Sequence, residues 1–334
     1  MEGLTVSNYE VNYLNVQDAD AIIIRYEDDL GSFIVLVDAG NVSDSEMIKK
    51  YIFDRWRTYI IDLAICTHPD SDHKGGFFGL LQDPNMYIKE FWLISPADAK
   101  ENCADNRYNC FLRPSPSMCF DHPTDESVPN LITLANKHCG KVLNVYAGHK
   151  HSTLPIVVVG PTKEFYRPVA EKILENYQDK RELDEEKYSD EGEFLMEQAK
   201  SSINNEPDDD SPTNAGSLIL LFQPTGHNSK FLLLGDANRL AIMDAMSNFK
   251  GLSGSNIKVP HHGSKHNLTS QIIDDLAPTC AIISAKGTRK HPSRGVVHCL
   301  SKHCNVYSTH VSGGLAHVSY KVLNPATPLK EKQK

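Results

Sequence analysis

Apolar and polar positions along the first third of the chain alternate with the two-residue period of strands. Residues 9–16 alternate, and Ala21-Ile22-Ile23-Ile24-Arg25-Tyr26 is rich in β-branched and aromatic residues. Asp28-Asp29-Leu30-Gly31 reads as a hairpin turn into a second apolar run over 32–37, which ends at Asp38-Ala39-Gly40. The period lengthens over 43–59 and predicts a helix with one apolar face. A buried strand, Ile61-Asp62-Leu63-Ala64-Ile65-Cys66, follows. Beyond it the pattern predicts a helix over 77–81, a strand over 91–95, a helix near 128–138, and strands over 142–147 and 154–159.

The strand theme then restarts. Apolar runs over 217–222 and 230–236 flank a turn at Gly226-His227-Asn228. A helix over 239–249, a short strand ending at Pro260, another helix, a strand over 281–284 and a final pair over 306–308 and 316–320 complete the pattern. Antiparallel hairpins in two halves, with helices between them, predict an α/β fold: an αββα sandwich of two mixed β-sheets with helices on the outer faces. One domain is expected over 1–325, with a disordered basic tail over 326–334.

Composition changes this picture in one place. The chain has 334 residues, 40% hydrophobic and 23% charged, with a net charge of −9. Residues 171–210 hold fifteen Asp or Glu against five Lys or Arg, so the rest of the chain is nearly neutral. An acidic, partly helical insertion is expected over 165–212, with Val169, Ile173, Leu174 and Tyr177 at helical spacing and a mobile end over 204–212. The surface that meets a substrate is therefore not acidic by necessity, and nucleic acid is not excluded. No apolar run approaches the ~20 residues that span a bilayer, and Met1-Glu2-Gly3-Leu4-Thr5 has no secretory character. A cytoplasmic location without membrane contact is expected.

The eight cysteines form no C-x-x-C pair and are expected to be reduced. Cys103, Cys110 and Cys119 share one Asn/Pro-rich loop but match no zinc spacing. His298-Cys299 and His303-Cys304 fall on an ordinary helix and its end.

Candidate chemistry concentrates in Thr67-His68-Pro69-Asp70-Ser71-Asp72-His73-Lys74-Gly75-Gly76, directly after the buried strand. Carboxylates and imidazoles placed this densely call for a cation. The two glycines let the backbone pass close to whatever those side chains hold. Asp236 ends Leu232-Leu233-Leu234-Gly235, and His261 and His262 end Ile257-Lys258-Val259-Pro260. Ends of strands in one sheet share a rim, so these residues can converge there. Their donor set suits zinc or manganese.

These motifs resemble those of the metallo-β-lactamase fold hydrolases, and among them the soluble domain of the competence protein ComEC. That subgroup reads T-H-x-D-x-D-H-x-G-G, N-x-x-S, L-L-x-G-D, V-P-H-H-G-S and H-P-S. Here stand Thr67 to Gly76, Asn214 with Ser217, Leu233 to Asp236, Val259 to Ser264, and His291-Pro292-Ser293, in the same order. Val37 to Gly40 matches an early strand-end motif.

The resemblance implies two divalent metal ions, Zn2+ or Mn2+, held by His68, Asp70, Asp72, His73, Asp236, His261 and His262, with the choice within the His261/His262 pair left open. It implies catalytic roles for Asp72, Asp38 and His291, with Asp38 orienting a ligand imidazole. Two departures stand out. Asp70 takes the place of a second His, which hardens the site toward manganese. The loop before residues 217–222, where the superfamily usually carries a His, reads Pro212-Thr213-Asn214-Ala215-Gly216, so one metal position is one ligand short or is completed by Asn214 or water. His149 and His151 are alternative substitutes, better explained as a surface hairpin. The early glycine-rich signature of the subgroup is also worn down, with only Asp20 retained.

Around these motifs lie Lys258, Lys265, Lys286, Arg289, Lys290 and Arg294, with Asn214, Ser264, Thr288 and Ser293 as polar donors. The run Lys286 to His291 can grip a phosphate through cationic, backbone and imidazole donors. The expected activity is that of a metal-dependent phosphodiesterase or nuclease acting on DNA through a metal-activated hydroxide. The alternatives are hydrolysis of a small ester, lactone or phosphocholine-type substrate, or a catalytically weakened regulatory or binding module. A nuclease free in the cell would also call for a regulatory protein partner or self-association.

Overall fold

Two parallel runs of strands, each led by an antiparallel hairpin, build the two sheets. The computed structural model describes residues 6–96, 130–179, 203–287, 291–312, 314–318 and 321–323. The cysteine-containing loop, most of the acidic run, residues 288–290 and the basic tail lie outside them.

In the first sheet, β1 (Asn8–Leu14), β2 (Ile22–Asp28) and β3 (Gly31–Val37) form an antiparallel meander. From β3 the chain crosses through α1 (Ser45–Trp56) to β4 (Ile60–Ile65), through α2 (Ser71–Gln82) to β5 (Tyr87–Leu93), and through α3 (Leu131–His138) to β6 (Cys139–Asn144). These last four strands run parallel.

The second sheet repeats the plan. β7 (Ile156–Gly160), followed by α4 (Lys163–Asp179) and the single turn α5 (Pro212–Ala215), pairs antiparallel with β8 (Ile219–Phe222), and β8 pairs antiparallel with β9 (Phe231–Leu233). Then α6 (Arg239–Asn248), β10 (Asn256–Lys258), α7 (Ser270–Leu276), β11 (Cys280–Ile283), α8 (Arg294–Ser301) and β12 (Asn305–Ser308) follow, with parallel strands. The strands β13 (Gly314–Val318) and β14 (Lys321–Leu323) return to the first sheet beside β1.

Alternation along the strands explains the layers. In β4, Leu63 and Ile65 face the other sheet and meet the inward residues Leu220, Phe222, Phe231 and Leu233. Ala64, between Leu63 and Ile65, faces outward, and at the start of the strand Ile61 joins it under Ile48, Ile52, Phe77 and Leu81 of α1 and α2. In the second sheet Leu232, Ile257 and Ile283 face outward under Ile242, Ile272, Val296 and Leu300. Each such side chain contributes about 1.5–3 kcal/mol on burial, so the result is the αββα sandwich that the period changes predict. Val296, Val297, Cys299 and Leu300 are buried on α8, as expected of an ordinary helix.

Two expectations change. Gly75 and Gly76 sit inside α2, not in a loop passing the ligands. A Cβ at Gly76 would collide with the Ala39 carbonyl oxygen, and one at Gly75 with the backbone of Asn41 and Val42. The glycines let α2 press against the turn after β3, where the Ala39 N–H donates to the His73 carbonyl at 2.8 Å. The end of the insertion is also held in place. Arg239 donates to the carbonyls of Glu206 at 2.7 Å and Ile203 at 2.8 Å, and to that of Lys265 at 3.0 Å. It thereby fastens residues 203–211 as a strap beside the second sheet's rim.

Candidate metal centre

Five strand ends converge where the parallel strands of both sheets finish. β3 runs into Asp38, β4 into Thr67 and His68, β9 into Asp236, β10 into His261 and His262, and β11 into Ser284. Asp70 is the residue before α2, which puts Asp72 and His73 in its first turn. The Leu218 N–H donates to the Thr67 carbonyl at 2.9 Å and ties the two rims together. After β10 the backbone turns left-handed through His261 (φ 46°), His262 (φ 54°) and Gly263 (φ 81°), and Asp38 has φ 56°. Left-handed backbone at non-glycine residues is uncommon, and here three such residues border one cluster.

Asp236 stands between two groups of donors. Its Oδ1 lies 3.3 Å from His73 Nε2 and its Oδ2 lies 3.9 Å from His68 Nε2. On the first side, Asp72 Oδ2 is 3.7 Å from His73 Nε2 and 3.2 Å from His262 Nε2. On the second side, Asp70 Oδ2 is 3.7 Å from His68 Nε2. Donor atoms of Asp72, His73, Asp236 and His262 all lie within 4.8 Å of one another.

The far nitrogen of each imidazole is tied down. His73 Nδ1–H donates to Asp38 Oδ2 at 2.8 Å, and His262 Nδ1–H to the Ser284 carbonyl at 2.8 Å. Thr67 Oγ1 donates to Asp38 Oδ2 at 2.8 Å, so it is left to accept from His68 Nδ1–H at 3.1 Å. Asp38 thus orients His73 directly and His68 through Thr67. With every Nδ1 protonated by this network, the Nε2 lone pairs face inward.

His68 Nε2 and His73 Nε2 are buried and make no hydrogen bond among the described residues. The grouped donors of Asp72, His73, Asp236 and His262, imidazole lone pairs and carboxylates, fit a divalent metal ion, with His68 and Asp70 on the other side of Asp236.

The charges agree. Burial alone would lower the His73 imidazole, but Asp236, Asp38 and Asp72 hold it well above its ordinary value. Burial would raise Asp72 and Asp236; His73 first, with His262 acting on both and His261 also on Asp236, holds both well below the carboxylate range. His68 is lowered by burial and by the neighbouring His73. The cluster therefore favours a cation at its centre.

Lys258, expected on the substrate rim, is buried behind this cluster instead. Its ammonium pairs with Asp20, donates to the Gly235 carbonyl at 3.2 Å and lies 3.8 Å from Asp236 Oδ1. Asp20, Asp38 and His73 form a second acidic grouping, and Lys258 supplies its cation. An apolar-flanked Lys at a strand end looks like a rim residue in sequence, and only its inward direction between the sheets shows otherwise.

His261 is the second correction. Of the pair, His262 joins the grouped donors and His261 does not. His261 Nδ1 donates to Asp209 Oδ2 at 2.9 Å. The same oxygen accepts from Asn214 Nδ2 at 2.8 Å and Asn267 Nδ2 at 3.1 Å. Asp209 comes from the strap, and no signal in the run Asp208-Asp209-Asp210 distinguishes it from solvated acid. The His261 imidazole is pushed up to about 9, burial being outweighed by Asp236 and Asp209.

The other expected residues divide. His291 is buried with its ring 5.7 Å from that of His261 and 6.1 Å from that of His262, at the edge of the cluster. Ser264 is buried beside it, and the Ser293 N–H donates to the Gly263 carbonyl at 2.9 Å. Lys265 is paired with Glu206 at 3.2 Å. The Lys286 side chain is exposed, while its backbone N–H donates to Asp18 at 2.7 Å. Arg289 and Lys290 lie outside the described residues. His149 and His151 pack against Trp92, away from the cluster, as a hairpin would place them.

No family model matches the chain. A stretch of 103 residues is 31% identical to ComE operon protein 3 of Bacillus subtilis (strain 168), covering 30% of this chain and 13% of that protein. Among solved structures, the chain is similar to MEM-A1, a subclass B3 metallo-β-lactamase from a soil metagenome library, at 13% identity and a TM-score of 0.35 over 89% of this chain and 75% of that one. It is also similar to the metallo-β-lactamase MIM-1 from Novosphingobium pentaromativorans, at 11% identity and a TM-score of 0.33 over 85% and 82%. The ComE operon protein 3 stretch accords with the resemblance read from the motifs. Among the described residues no helix is long and apolar enough to cross a membrane.

Proposed function

We propose that this protein is a metal-dependent hydrolase of phosphodiesters, with DNA as its substrate. The observation that carries the reading is the Asp236 carboxylate, with one oxygen toward His73 and the other toward His68. Two divalent ions held by His68, Asp70, Asp72, His73, Asp236 and His262 would supply Lewis acidity and bring the pKa of water at the site toward neutrality.

The chain's own residues supply the rest. Asp38 keeps His68 and His73 in the orientation that leaves Nε2 free for ligation. Asp72 Oδ2 faces both His73 and His262 and is placed to hold an attacking water in line. His261 and His291 stand side by side at the edge of the cluster, where they would contact an anionic substrate. The ComEC-like motifs and the exposed Lys286 are what favour DNA.

One observation favours the alternative of a small ester, lactone or phosphocholine-type substrate: Lys258 and Lys265 are engaged by Asp20 and Glu206 and do not line an open cationic groove. Incubation with Mn2+ or Zn2+ and single-stranded, double-stranded and circular DNA decides between them. Cleavage that is lost in Asp72→Ala supports the reading. Turnover of small esters with intact DNA overturns the substrate, and bound metal without any turnover overturns the enzyme.

A further inference from the structure

The two sides of the cluster are unequally furnished. Around His73 stand four protein donors, from Asp72, His73, Asp236 and His262. On the other side His68 Nε2, Asp70 Oδ2 and Asp236 Oδ2 make three. Four donors are the usual complement of a protein-bound zinc-type ion, and oxygen-rich sites take more.

Asn214 is 4% exposed, and its Oδ1 is a buried acceptor with no hydrogen-bond partner among the described residues. Its amide cannot be turned over without cost. Nδ2 donates to Asp209 Oδ2 at 2.8 Å, and a carboxylate there would repel Oδ1. Asp209 is in turn held by the Ser211 N–H at 3.0 Å and by Asn267 and His261. Thr213, the preceding residue of α5, reaches Asp70 Oδ2 at 3.4 Å, which sets this turn against the poorer side of the cluster. A buried amide oxygen without a partner is rare in native proteins and asks for a reason.

We infer that Asn214 Oδ1 is the fourth protein ligand of the His68–Asp70–Asp236 side, with Asp209 as the residue that positions its amide, an inference that rests on the two-ion reading above. The arrangement parallels that of the three imidazoles: one atom of a planar side chain is anchored outward, and the other is left for the ion. An amide oxygen in place of a nitrogen makes this side harder, and it selects manganese over zinc more strongly than the His262 side does.

Mn2+ and Zn2+ binding to the full chain, followed by titration calorimetry and elemental analysis, tests it without reference to activity. The wild type is expected to bind two Mn2+. Asn214→Ala is expected to keep one and to lose about tenfold or more in affinity for the other. Asn214→His, whose Nδ1–H can still donate to Asp209, is expected to keep two ions and to shift preference toward Zn2+ by about tenfold. Asn214→Ala binding two Mn2+ with unchanged affinities overturns the inference, as does a wild type that binds one. If Asn214→Ala does not fold, an Asn214→His protein with unaltered metal preference overturns it instead. A wild type that binds no divalent ion overturns the two-ion reading itself.

Discussion

The two sheets share a plan, an antiparallel hairpin followed by parallel strands, yet they bring ligands to the site by different routes. On the first rim a single connection, from the end of β4 into the first turn of α2, carries His68, Asp70, Asp72 and His73 within six residues. The second rim contributes Asp209 and Asn214, Asp236, and His262 from three separate connections. The first rim is organised by helix geometry: α2 presses on the turn after β3, and Asp38 reaches across to two imidazoles. The second is organised by strained turns and by a strap fastened through Arg239. A rim built from one local segment depends on few long-range contacts. A rim assembled from three depends on many, and it is where substitution should separate metal binding from folding.

The sharpest break in this comparison is at the residue that joins the rims. Asp236→Ala removes the carboxylate that faces both His68 and His73. Hydrolysis is expected to fall by on the order of 10³-fold or more, since stabilising the charge that develops at the reacting group contributes most to lowering such barriers. Loss of both ions, read by elemental analysis, should accompany it. If Asp236→Ala retains two ions with wild-type affinity, the rims are not joined through this residue.

Next comes the buried pair behind the cluster. Lys258→Met strands Asp20 as an uncompensated charge at about 1% exposure. Breaking a buried pair by removing one partner costs about 3–5 kcal/mol. Denaturant unfolding at neutral pH should report a loss of that size, and Lys258→Met combined with Asp20→Asn should recover much of it. If the single variant is as stable as wild type, Lys258 does not serve as the fixed internal cation that the first rim's acidic grouping requires.

The difference between the rims also governs what could be read from the chain. The two-sheet sandwich followed from period changes, because inward and outward residues alternate in runs such as Leu63, Ala64 and Ile65. His68, Asp70, Asp72 and His73 were legible because helix and strand end lie side by side in sequence. Asp38 was legible as an orienting residue through the strand-end motif Val37 to Gly40, and its strand lies beside β4. On the second rim Asp236 and His262 could be picked out as strand-end residues, but the separation of His262 from His261 depends on the left-handed turn, which no local composition encodes. Asp209 was hidden in an acidic run, and contacts distant in sequence, from Asn267 and from Arg239 to the rest of the strap, fix it beside His261. Lys258 looked like a surface cation because its partner Asp20 lies 238 residues away in sequence.

The smallest expected effect concerns the strap. His261 is held up at about 9, so its contact with Asp209 stabilises the fold fully below the ordinary histidine pKa of about 6.5 and is lost as pH rises through about 9. Asp209 is lowered: burial would raise it, but His261 and Asn214 outweigh that, so its contribution is present above the ordinary carboxylate value and is lost only at lower pH. The contact should therefore hold across neutral pH, with an upper edge near 9 in the metal-free protein. Asp209→Asn keeps the shape but removes one of the three carboxylates, with Asp236 and Asp72, that raise His261. The His261 ring resonance, followed by NMR in the metal-free chain, is expected to titrate roughly one pH unit lower in the variant. An unchanged midpoint would mean that Asp236 and Asp72 sustain the imidazolium without Asp209, and that the strap contributes position to the second rim but no charge.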